Sequence, residues 1–372
     1  MEVVVTGMGL ISCLGSLQTT WSNILQGKSG ISSQHLFPEF PFFPLGLINS
    51  QPSKVEGIIN QLLLDTLEDA KLQPPLIDCG VAVGSSRGCQ ANWEELASQK
   101  SINIPDWLQT LPDRAALVCA RYIQTSAPVL APMAACATGI WALARGYELI
   151  KTGRCDRVIA GAIEAPITPL TLAAFDRMGA LAKTGCYPFD RSREGLVLGE
   201  GGAMFVLETK ELAQQRQAKI YGKITGFGLT CDAHHISAPQ TIDGSAAIAI
   251  KQALERSNIS PQAIDYIHAH GTSTILNDRH EAELIQHIFP TTVAVSSTKG
   301  ATGHTLGASG AIGTAITLMA LQKGYLPPCI GLRQSDFNLN LVTTIKKVKI
   351  DKAMCFSFGF GGQNAVVSLS LS

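Results

Sequence analysis

One arrangement of residues occurs twice in this chain and limits the folds that the chain can adopt. Residues Val129–Lys151 have the pattern of a short strand, a turn of small residues and then a buried helix. Residues Val293–Lys323 repeat this pattern. Strands and helices are distinguished here by their hydrophobic periods, which are two residues for a strand and 3.6 for a helix. Two similar halves that face one another would bring both turns close to one central site.

The rest of the chain continues the alternation of short Val- and Ile-rich runs with helical patterns, which predicts an α/β fold built in layers. The predicted strands are Val3–Thr6, Gly80–Val83, Arg157–Ala160, Ala203–Glu208, Ile220–Leu229, Ile264–Ala269, Thr292–Ser296, Ala353–Ser357 and Ala365–Leu371. The predicted helices are Lys54–Ala70, Ala137–Lys151, Ser245–Ser257, Asp278–Ile288 and Leu306–Lys323. Residues Glu208–Lys219 predict a solvated helix near the middle of the chain, and Gly30–Ser53 predicts an irregular surface loop or lid.

Composition excludes several classes of protein. Lys plus Arg and Asp plus Glu both number 29, so nothing electrostatic predicts a nucleic-acid partner. The ten cysteines are scattered without a C-x-x-C pair, which favours reduced thiols and a cytoplasmic location. Residues Tyr122–Ala144 and Ala301–Gln322 carry no Asp, Glu, Lys or Arg and exceed the roughly 20 residues of a membrane helix. Prolines, glycines and polar residues interrupt them, so we expect strand-plus-helix units of the core and no membrane insertion.

Cys136 lies in the first turn of small residues, where a strand ends and a helix begins. The start of a helix carries free N–H groups and a partial positive charge of roughly half a unit, which favours a thiolate over a thiol. Cys136 is therefore a candidate nucleophile. A cysteine packed among small residues of a helix is the alternative, and position alone does not decide between the two.

Two histidines lie at comparable strand ends. His270 follows a predicted strand and precedes a turn rich in Gly, Thr and Ser, and His304 follows Lys299 in a loop that contains glycines. His268 shares a face with His270 and could chelate a metal with it, but the sequence offers no clear third ligand, so we predict no metal site. A lone histidine is usually a hydrogen-bonded core residue, whereas a cysteine and two histidines at strand ends favour a shared site.

Two further turns are candidates for chemistry. Residues Phe356–Asn364 form a glycine-rich turn between strands, which is either a simple hairpin or a backbone N–H donor to substrate with Phe360 as a movable plug. Residues Gly84–Gly88 match the G-x-S-x-G nucleophile elbow of hydrolases, with Ser86 as nucleophile. No Asp-then-His order of suitable spacing accompanies Ser86, so a serine hydrolase remains an alternative.

Taken together and in this order, these segments resemble one family, the β-ketoacyl-acyl-carrier-protein synthases of the elongating type, which have the thiolase fold. The resemblance covers nearly the whole chain. It rests on Val3–Gly9, Ala135–Gly139, Pro188–Arg191, Gly195–Gly201, His270–Thr274, Asn277–Asp278, Ser296–His304 and Gly359–Gly362. It implies a five-layered α-β-α-β-α core of two similar βαβαβαββ-type halves, residues 1–217 with the nucleophilic cysteine and residues 218–372 with both histidines.

The resemblance also implies an activity, that of a 3-oxoacyl-[acyl-carrier-protein] synthase, an acyltransferase of fatty-acid, related lipid or polyketide synthesis. Cys136 would accept an acyl group, His270 and His304 would assist decarboxylation of a malonyl group, and Lys299 would support them. The N–H groups of Cys136 and Phe360 would bind the developing oxyanion. The implied substrate-binding residues are Thr272, Thr274, Ser237, Gly359 and Gly361.

The implied partner is an acyl carrier protein, acyl-loaded or malonyl-loaded, whose 4′-phosphopantetheine arm delivers the substrates. The resemblance implies no bound metal or redox cofactor. It implies a cytoplasmic homodimer. Acidic carriers usually dock on basic residues near the pocket mouth, and the candidates are Arg191 and Arg193, with Arg87 as a further possibility.

The chain departs from the family pattern at one notable position. The family usually has a glutamate nine residues after the second histidine as the partner of the lysine, and this chain has Gly313. Glu281 is the nearest substitute that the sequence offers. This leaves open a non-catalytic or chain-length-determining partner subunit of the same fold. A thiolase would need a second cysteine near the C-terminal turn, for which Cys355 is the candidate.

Overall fold

The computed structural model describes residues 1–98 and 104–371. Ten strands make up most of one large mixed sheet: β1 (Val3–Ser12), β2 (Cys79–Gly84), β3 (Val129–Leu130), β4 (Arg157–Glu164), β5 (Gly201–Thr209), β6 (Gly222–Cys231), β7 (Tyr266–His268), β8 (Ala294–Ser296), β9 (Lys352–Gly359) and β10 (Gln363–Ser370). Shorter strands are Gly15–Ser16, Ser32–Gln34, Phe43–Leu45, Tyr325–Leu326, Asn340–Leu341 and Lys346–Lys347.

Most of the helices lie between these strands in the order of the chain. They are α1 (Leu17–Leu25), α2 (Val55–Asp69), α3 (Gln90–Ser98), α4 (Ile104–Leu108), α5 (Arg114–Ile123), α6 (Thr138–Lys151), α7 (Pro169–Arg177), α8 (Lys210–Gln215), α9 (Ser245–Ser257), α10 (Ile275–Ile288), α11 (Lys299–Thr302) and α12 (Ser309–Lys323). Single 3₁₀ turns cover Pro261–Ala263 and Leu306–Ala308.

The strand order repeats within the sheet. The first half has the order β3-β2-β4-β5-β1 and the second half has the order β8-β7-β9-β10-β6. In both halves the first three strands of that order pair in parallel and the remaining neighbours pair antiparallel. Strands β1 and β6 join the halves through residues Val3–Val5. The repeat predicted from the two turns is therefore present, and we propose residues 217 and 218 as the boundary between the halves.

The helices that follow the two turns lie together in the middle of the molecule. Helices α6 and α12 follow β3 and β8, and their apolar residues share the central core. Helix α12 is buried on every side from Ser309 to Leu321, as a helix without a polar face must be. Helices α2 and α5 pack on the outer side of the first half of the sheet, and α9 and α10 pack on the outer side of the second half. With α6 and α12 between the halves, this gives the α-β-α-β-α layers.

The two central helices approach each other closely, and a glycine makes this approach possible. A Cβ atom added at Gly139 in α6 would lie 2.4 Å from the backbone nitrogen of Ala311 in α12. Real Cβ atoms do not make contacts this short, so only glycine fits where the helices cross. This crossing fixes the spacing between the two turns that precede the helices.

The element predictions hold well, with one clear error. Glu208 is not solvated: it lies near the end of strand β5, is buried, and its carboxylate bonds the guanidinium groups of Arg157 and Arg216. A buried carboxylate needs such partners. One of them, Arg157, comes from the neighbouring strand β4, and the other, Arg216, directly follows α8. The predicted loop Gly30–Ser53 contains a short hairpin that buries Phe43, so it is anchored rather than fully irregular.

The two uncharged stretches form parts of the core. Residues Tyr122–Ala144 end helix α5 and then supply β3 and the first half of α6, and Ala301–Gln322 supply the end of α11 and most of α12. Across residues 1–98 and 104–371, none of the helices is both long enough and apolar enough to span a bilayer.

Candidate active site

Cys136 lies in a strained turn between β3 and α6. The preceding Ala135 has a φ of +46°, in the left-handed region, which costs a non-glycine residue about 1–3 kcal/mol. Two hydrogen bonds hold the turn: the Ser357 hydroxyl donates to the Cys136 carbonyl at 2.8 Å, and the Ala134 N–H donates to the Thr138 hydroxyl at 2.9 Å. The cysteine side chain lines a cavity of about 330 Å³. Its position at the start of the helix is as predicted.

The two predicted histidines converge on this cysteine. His270 follows β7 and His304 precedes α12, and both line the same cavity as Cys136. The thiol sulfur and one ring nitrogen from each histidine lie within 4.8 Å of one another. The two rings meet edge to face, with centroids 5.1 Å apart. Cys136 and two histidines that are each more than 130 positions from it in the chain therefore form one compact group.

Burial sets the protonation state of both histidines. It lowers the pKa of His270 and of His304 well below the usual range, and the positive charge of Lys299 lowers both further. At neutral pH each ring is therefore uncharged and offers one N–H donor. The Nδ1 atom of His304 is 2.7 Å from the Ser309 hydroxyl, which fixes the orientation of that ring.

Lys299 is buried just behind the histidines. Its Nζ atom donates a hydrogen bond to the backbone carbonyl of His270. Burial lowers the pKa of Lys299, and the charge of Glu281 opposes this shift. Burial likewise raises the pKa of Glu281 to about 7, although the Gly271 and His270 N–H groups stabilise its carboxylate. Glu281, the substitute named from the sequence, thus acts on Lys299 while it holds the backbone at His270.

The glycine-rich turn after β9 lies against Cys136. A Cβ atom added at Gly359 would be 2.9 Å from the Cys136 backbone nitrogen. The backbone N–H of Phe360 hydrogen-bonds the Cys136 thiol group and lowers its pKa. The Phe360 ring stacks on Phe175, with centroids 6.0 Å apart. Gly361 is outside the cavity lining, and its N–H donates to the Ile236 carbonyl at 2.8 Å instead.

The other predicted substrate-binding residues lie along the cavity. Thr272, Thr274 and Ser237 all line it, and the two threonine hydroxyls are 2.9 Å apart. Gly359 lines it as well. These three hydroxyl-bearing residues therefore line a cavity whose wall is otherwise largely apolar.

Sequence reasoning missed several residues of the same wall. They are Phe175, Met178, Leu196 and Asp232. Leu196 falls within a segment of the family resemblance, which could have pointed to it. Phe175 and Met178, at the end of α7, and Asp232, directly after β6, carry no local motif, so only the folded chain brings them to the cavity.

Comparison with known proteins identifies the family. Residues 58–213 match the description "Beta-ketoacyl synthase, N-terminal domain" and residues 221–333 match "Beta-ketoacyl synthase, C-terminal domain". The chain belongs to the β-ketoacyl synthase family. It is 34% identical to the "Putative 3-oxoacyl-[acyl-carrier-protein] synthase, mitochondrial" of Schizosaccharomyces pombe, over 98% of this chain and 97% of the relative. It is 32% identical to "3-oxoacyl-[acyl-carrier-protein] synthase 2" of Staphylococcus aureus, over 99% of this chain and 97% of the relative.

Solved structures of β-ketoacyl synthases share the whole fold. One is the ketosynthase of a type II polyketide synthase, in complex with its acyl-carrier protein and bound to a hexaketide (TM-score 0.93, 30% identity, 100% of this chain and 99% of that one). Another is the ishigamide ketosynthase/chain length factor (TM-score 0.93, 27% identity, 100% and 99%). The predicted thiolase-like fold is confirmed.

One prediction about the synthase nucleophile is wrong. Burial raises the pKa of Cys136 to about 11, and the opposing effects of Lys299 and the Phe360 N–H do not compensate. The half-charge at the start of a helix is too weak to offset complete burial of the sulfur. With this pKa, Cys136 is mainly a thiol at neutral pH.

The alternative nucleophiles are not in a reactive setting. The Ser86 hydroxyl donates to buried Glu164 at 2.5 Å rather than pairing with a histidine. Cys355 is buried in β9 and lies outside the cavity lining. His268 does not join His270 in the cavity, since its Nε2 bonds the Thr298 hydroxyl at 3.0 Å. The hydrolase, thiolase and chelating-pair interpretations therefore find no support in this geometry.

The candidate docking arginines already have partners within the synthase. Arg191 forms an ion pair with exposed Asp336, and Arg193 lies 4.8 Å above the ring of Phe337. Arg87 lies 5.5 Å above the ring of Phe175, beside the cavity. A docking carrier would have to compete with or extend these contacts.

Proposed function

We propose that this β-ketoacyl synthase is a 3-oxoacyl-[acyl-carrier-protein] synthase of the elongating type, in which Cys136, His270 and His304 carry out the chemistry. The convergence of a thiol and two neutral imidazoles within 4.8 Å, at the wall of a largely apolar cavity, is the observation that carries this proposal. Its mechanism has an acyl-transfer step and a decarboxylative condensation step.

In the first step Cys136 attacks the thioester carbonyl of an acyl-loaded carrier. The thiol proton goes to the departing pantetheine sulfur, and the acyl group becomes bonded to Sγ. The N–H groups of Cys136 and Phe360 donate to the oxygen that becomes negative, which is the usual strongest contribution in acyl transfer. A cysteine suits the step because its sulfur is both a nucleophile and a good leaving group.

In the second step the malonyl group of a second carrier loses CO₂. The electron pair of the broken C–C bond forms an enolate, whose oxygen accepts hydrogen bonds from His270 and His304. The enolate carbon then attacks the acyl carbonyl, and the C–S bond breaks to release Cys136 as a thiolate, which takes up a proton from solvent to restore the thiol. Neutral imidazoles fit this role because they donate hydrogen bonds without protonating the carbanion. The apolar wall and Phe360 exclude water that would quench it.

The pantetheine arm follows from the same geometry. Thr272, Thr274 and Ser237 supply hydroxyl groups along the cavity, and we assign them to hydrogen bonds with the arm. Gly359 keeps the wall close to Cys136. The arm belongs to an acyl carrier protein, which we propose as the partner, and we propose a cytoplasmic homodimer as the working form.

A non-catalytic partner subunit is the alternative of the same fold. It would have no use for a cysteine and two histidines in contact distance, so the observed group favours the synthase. The deciding experiment incubates the protein with acyl-loaded carrier and measures its intact mass, with Cys136→Ala in parallel. A synthase gains one acyl mass only when Cys136 is present, and then releases a 3-oxoacyl product with malonyl-loaded carrier. An adduct that persists in Cys136→Ala would contradict the proposal.

A further inference from the structure

A second and much smaller cavity, of only about 10 Å³, lies beside the active site. Its lining includes His268, Thr298, Lys299 and Gly313, and neither His268 nor Lys299 lines the main cavity. The family resemblance implies a supporting role for Lys299, but neither that resemblance nor the proposed mechanism gives His268 a role. A buried imidazole next to a buried lysine calls for an explanation.

The ring of His268 takes the space in which a side chain at position 313 would lie. A Cβ atom added at Gly313 would be 2.8 Å from Nδ1 and 2.9 Å from Cε1 of His268, and 2.8 Å from the sulfur of Cys355. No side chain fits at 313 while the imidazole stays in place. The hydrogen bond from the ring to Thr298 anchors it to the residue that precedes Lys299.

This exchange changes the charge around Lys299. Where the family usually has a glutamate at position 313, this chain presents a ring that burial keeps neutral, with a pKa of about 3. Glu281 is the carboxylate whose charge favours the ammonium form. The other titratable groups that interact electrostatically with Lys299 are neutral at pH 7. They are Cys136, Cys186, Cys355, His268, His270 and His304.

We propose that His268 and Gly313 form a matched pair, in which the imidazole replaces the volume of a glutamate side chain but not its charge and thereby positions Lys299. His268 is thus a positioning residue for the decarboxylation step, and this inference rests on the proposed function. Within residues 1–98 and 104–371, Glu281 is the one carboxylate that acts on Lys299, so Lys299 loses its proton at a lower pH than a lysine with two carboxylates would. The ammonium form supports the enolate charge, so decarboxylation falls off at high pH.

The steric half of the proposal is tested by thermal unfolding. Gly313→Ala should lower Tm by several degrees, and in a His268→Asn background the same change should cost clearly less. The Cys355 contact is the same in both backgrounds and cancels. Gly310→Ala is the matched control, because its Cβ would meet Ile140 at 2.8 Å rather than His268. Equal losses from Gly313→Ala in both backgrounds would overturn the pairing, and this result does not depend on activity.

The electrostatic half is tested by pH profiles of CO₂ release from malonyl-loaded carrier. All proteins carry Cys136→Ala, so that the thiol does not titrate. We expect His268→Asn/Gly313→Glu to move the alkaline limb upward by about one pH unit, because the added carboxylate favours the ammonium form. His268→Asn/Gly313→Gln has the same size without the charge and should leave the limb in place. A limb that does not move with the glutamate overturns the inference, whereas loss of CO₂ release in the Cys136→Ala parent would count against the proposed function.

Discussion

Glu281 and Lys299 bind opposite ends of one peptide group, the group that joins His270 to Gly271. The carboxylate of Glu281 accepts the Gly271 N–H at 2.7 Å, while Lys299 donates to the His270 carbonyl. A second oxygen of Glu281 accepts the His270 N–H at 2.6 Å. The backbone at His270, one of the two proposed catalytic histidines, is therefore held from both sides by a buried pair of opposite charge.

This arrangement predicts a specific cost for Glu281→Gln. The amide can accept one backbone N–H but turns its NH₂ group towards the other, so one buried donor loses its partner at about 1–3 kcal/mol. We expect a lower Tm and a decarboxylation rate reduced more than the acyl-transfer rate, because His270 moves and Cys136 does not. Glu211→Gln, at an exposed position of α8, is the control. Equal losses in the two half-reactions would show that Glu281 does not act through His270.

The two histidines should separate the half-reactions as well. His270→Ala and His304→Ala each remove one donor to the enolate oxygen, which typically costs about 10²–10³-fold in rate. We expect that loss in CO₂ release from malonyl-loaded carrier, with acylation of Cys136 reduced far less. Intact mass reports the acylation and product analysis reports the condensation. Comparable losses in both measurements would contradict the assigned roles.

The raised pKa of Cys136 predicts how its reactivity depends on pH. Since the pKa is about 11, the thiolate fraction at pH 7 is small and grows about tenfold per pH unit up to that value. Alkylation by iodoacetamide, followed by intact mass, should accelerate accordingly. Cys231 is exposed and is removed beforehand as Cys231→Ala. Lys299→Met should slow the reaction further, since Lys299 lowers this pKa; an alkylation rate that is flat from pH 7 to 10 would be inconsistent with a buried thiol.

The stacked rings of Phe360 and Phe175 predict a gating effect. Phe360→Ala keeps the backbone N–H that binds the oxyanion but opens the cavity wall beside Cys136. We therefore expect acylation within about tenfold of the parent rate and faster loss of the acyl group to water, measured by the decay of the adduct mass without malonyl-loaded carrier. Phe42→Ala, on a ring that is 64% exposed, is the control. An adduct as durable as that of the parent would argue that the ring does not exclude water.

Local patterns predicted most of the fold and the centre of the site. Helix α9 begins and ends at its predicted residues, and Cys136, His270 and His304 meet as their strand-end positions indicated. The errors arose where distant residues decide the outcome. Glu208 looked solvated because its partner Arg157 lies on the neighbouring strand β4, which the sequence around Glu208 does not show. The pKa of Cys136 depends on how completely the fold covers the sulfur, which no local motif records.

The pairing of His268 with Gly313 is likewise a feature that local sequence patterns do not predict. Both residues are visible in the sequence, one as a possible chelator and the other as a departure from the family. The two residues are 45 positions apart, so the sequence does not show that the His268 ring occupies the space of a side chain at position 313. Only the packing of β7 against α12 shows this.

The helix crossing at Gly139 sets the distance between residues of the proposed site. Cys136 precedes one central helix and His304 precedes the other. The distance from the Cys136 sulfur to the His304 imidazole therefore depends on how closely α6 approaches α12. A single methyl group at Gly139 would push the two helices apart and lengthen that distance while leaving Cys136, His270 and His304 unchanged. The spacing between α6 and α12, as much as the identity of these three residues, therefore determines whether the proposed reaction can proceed.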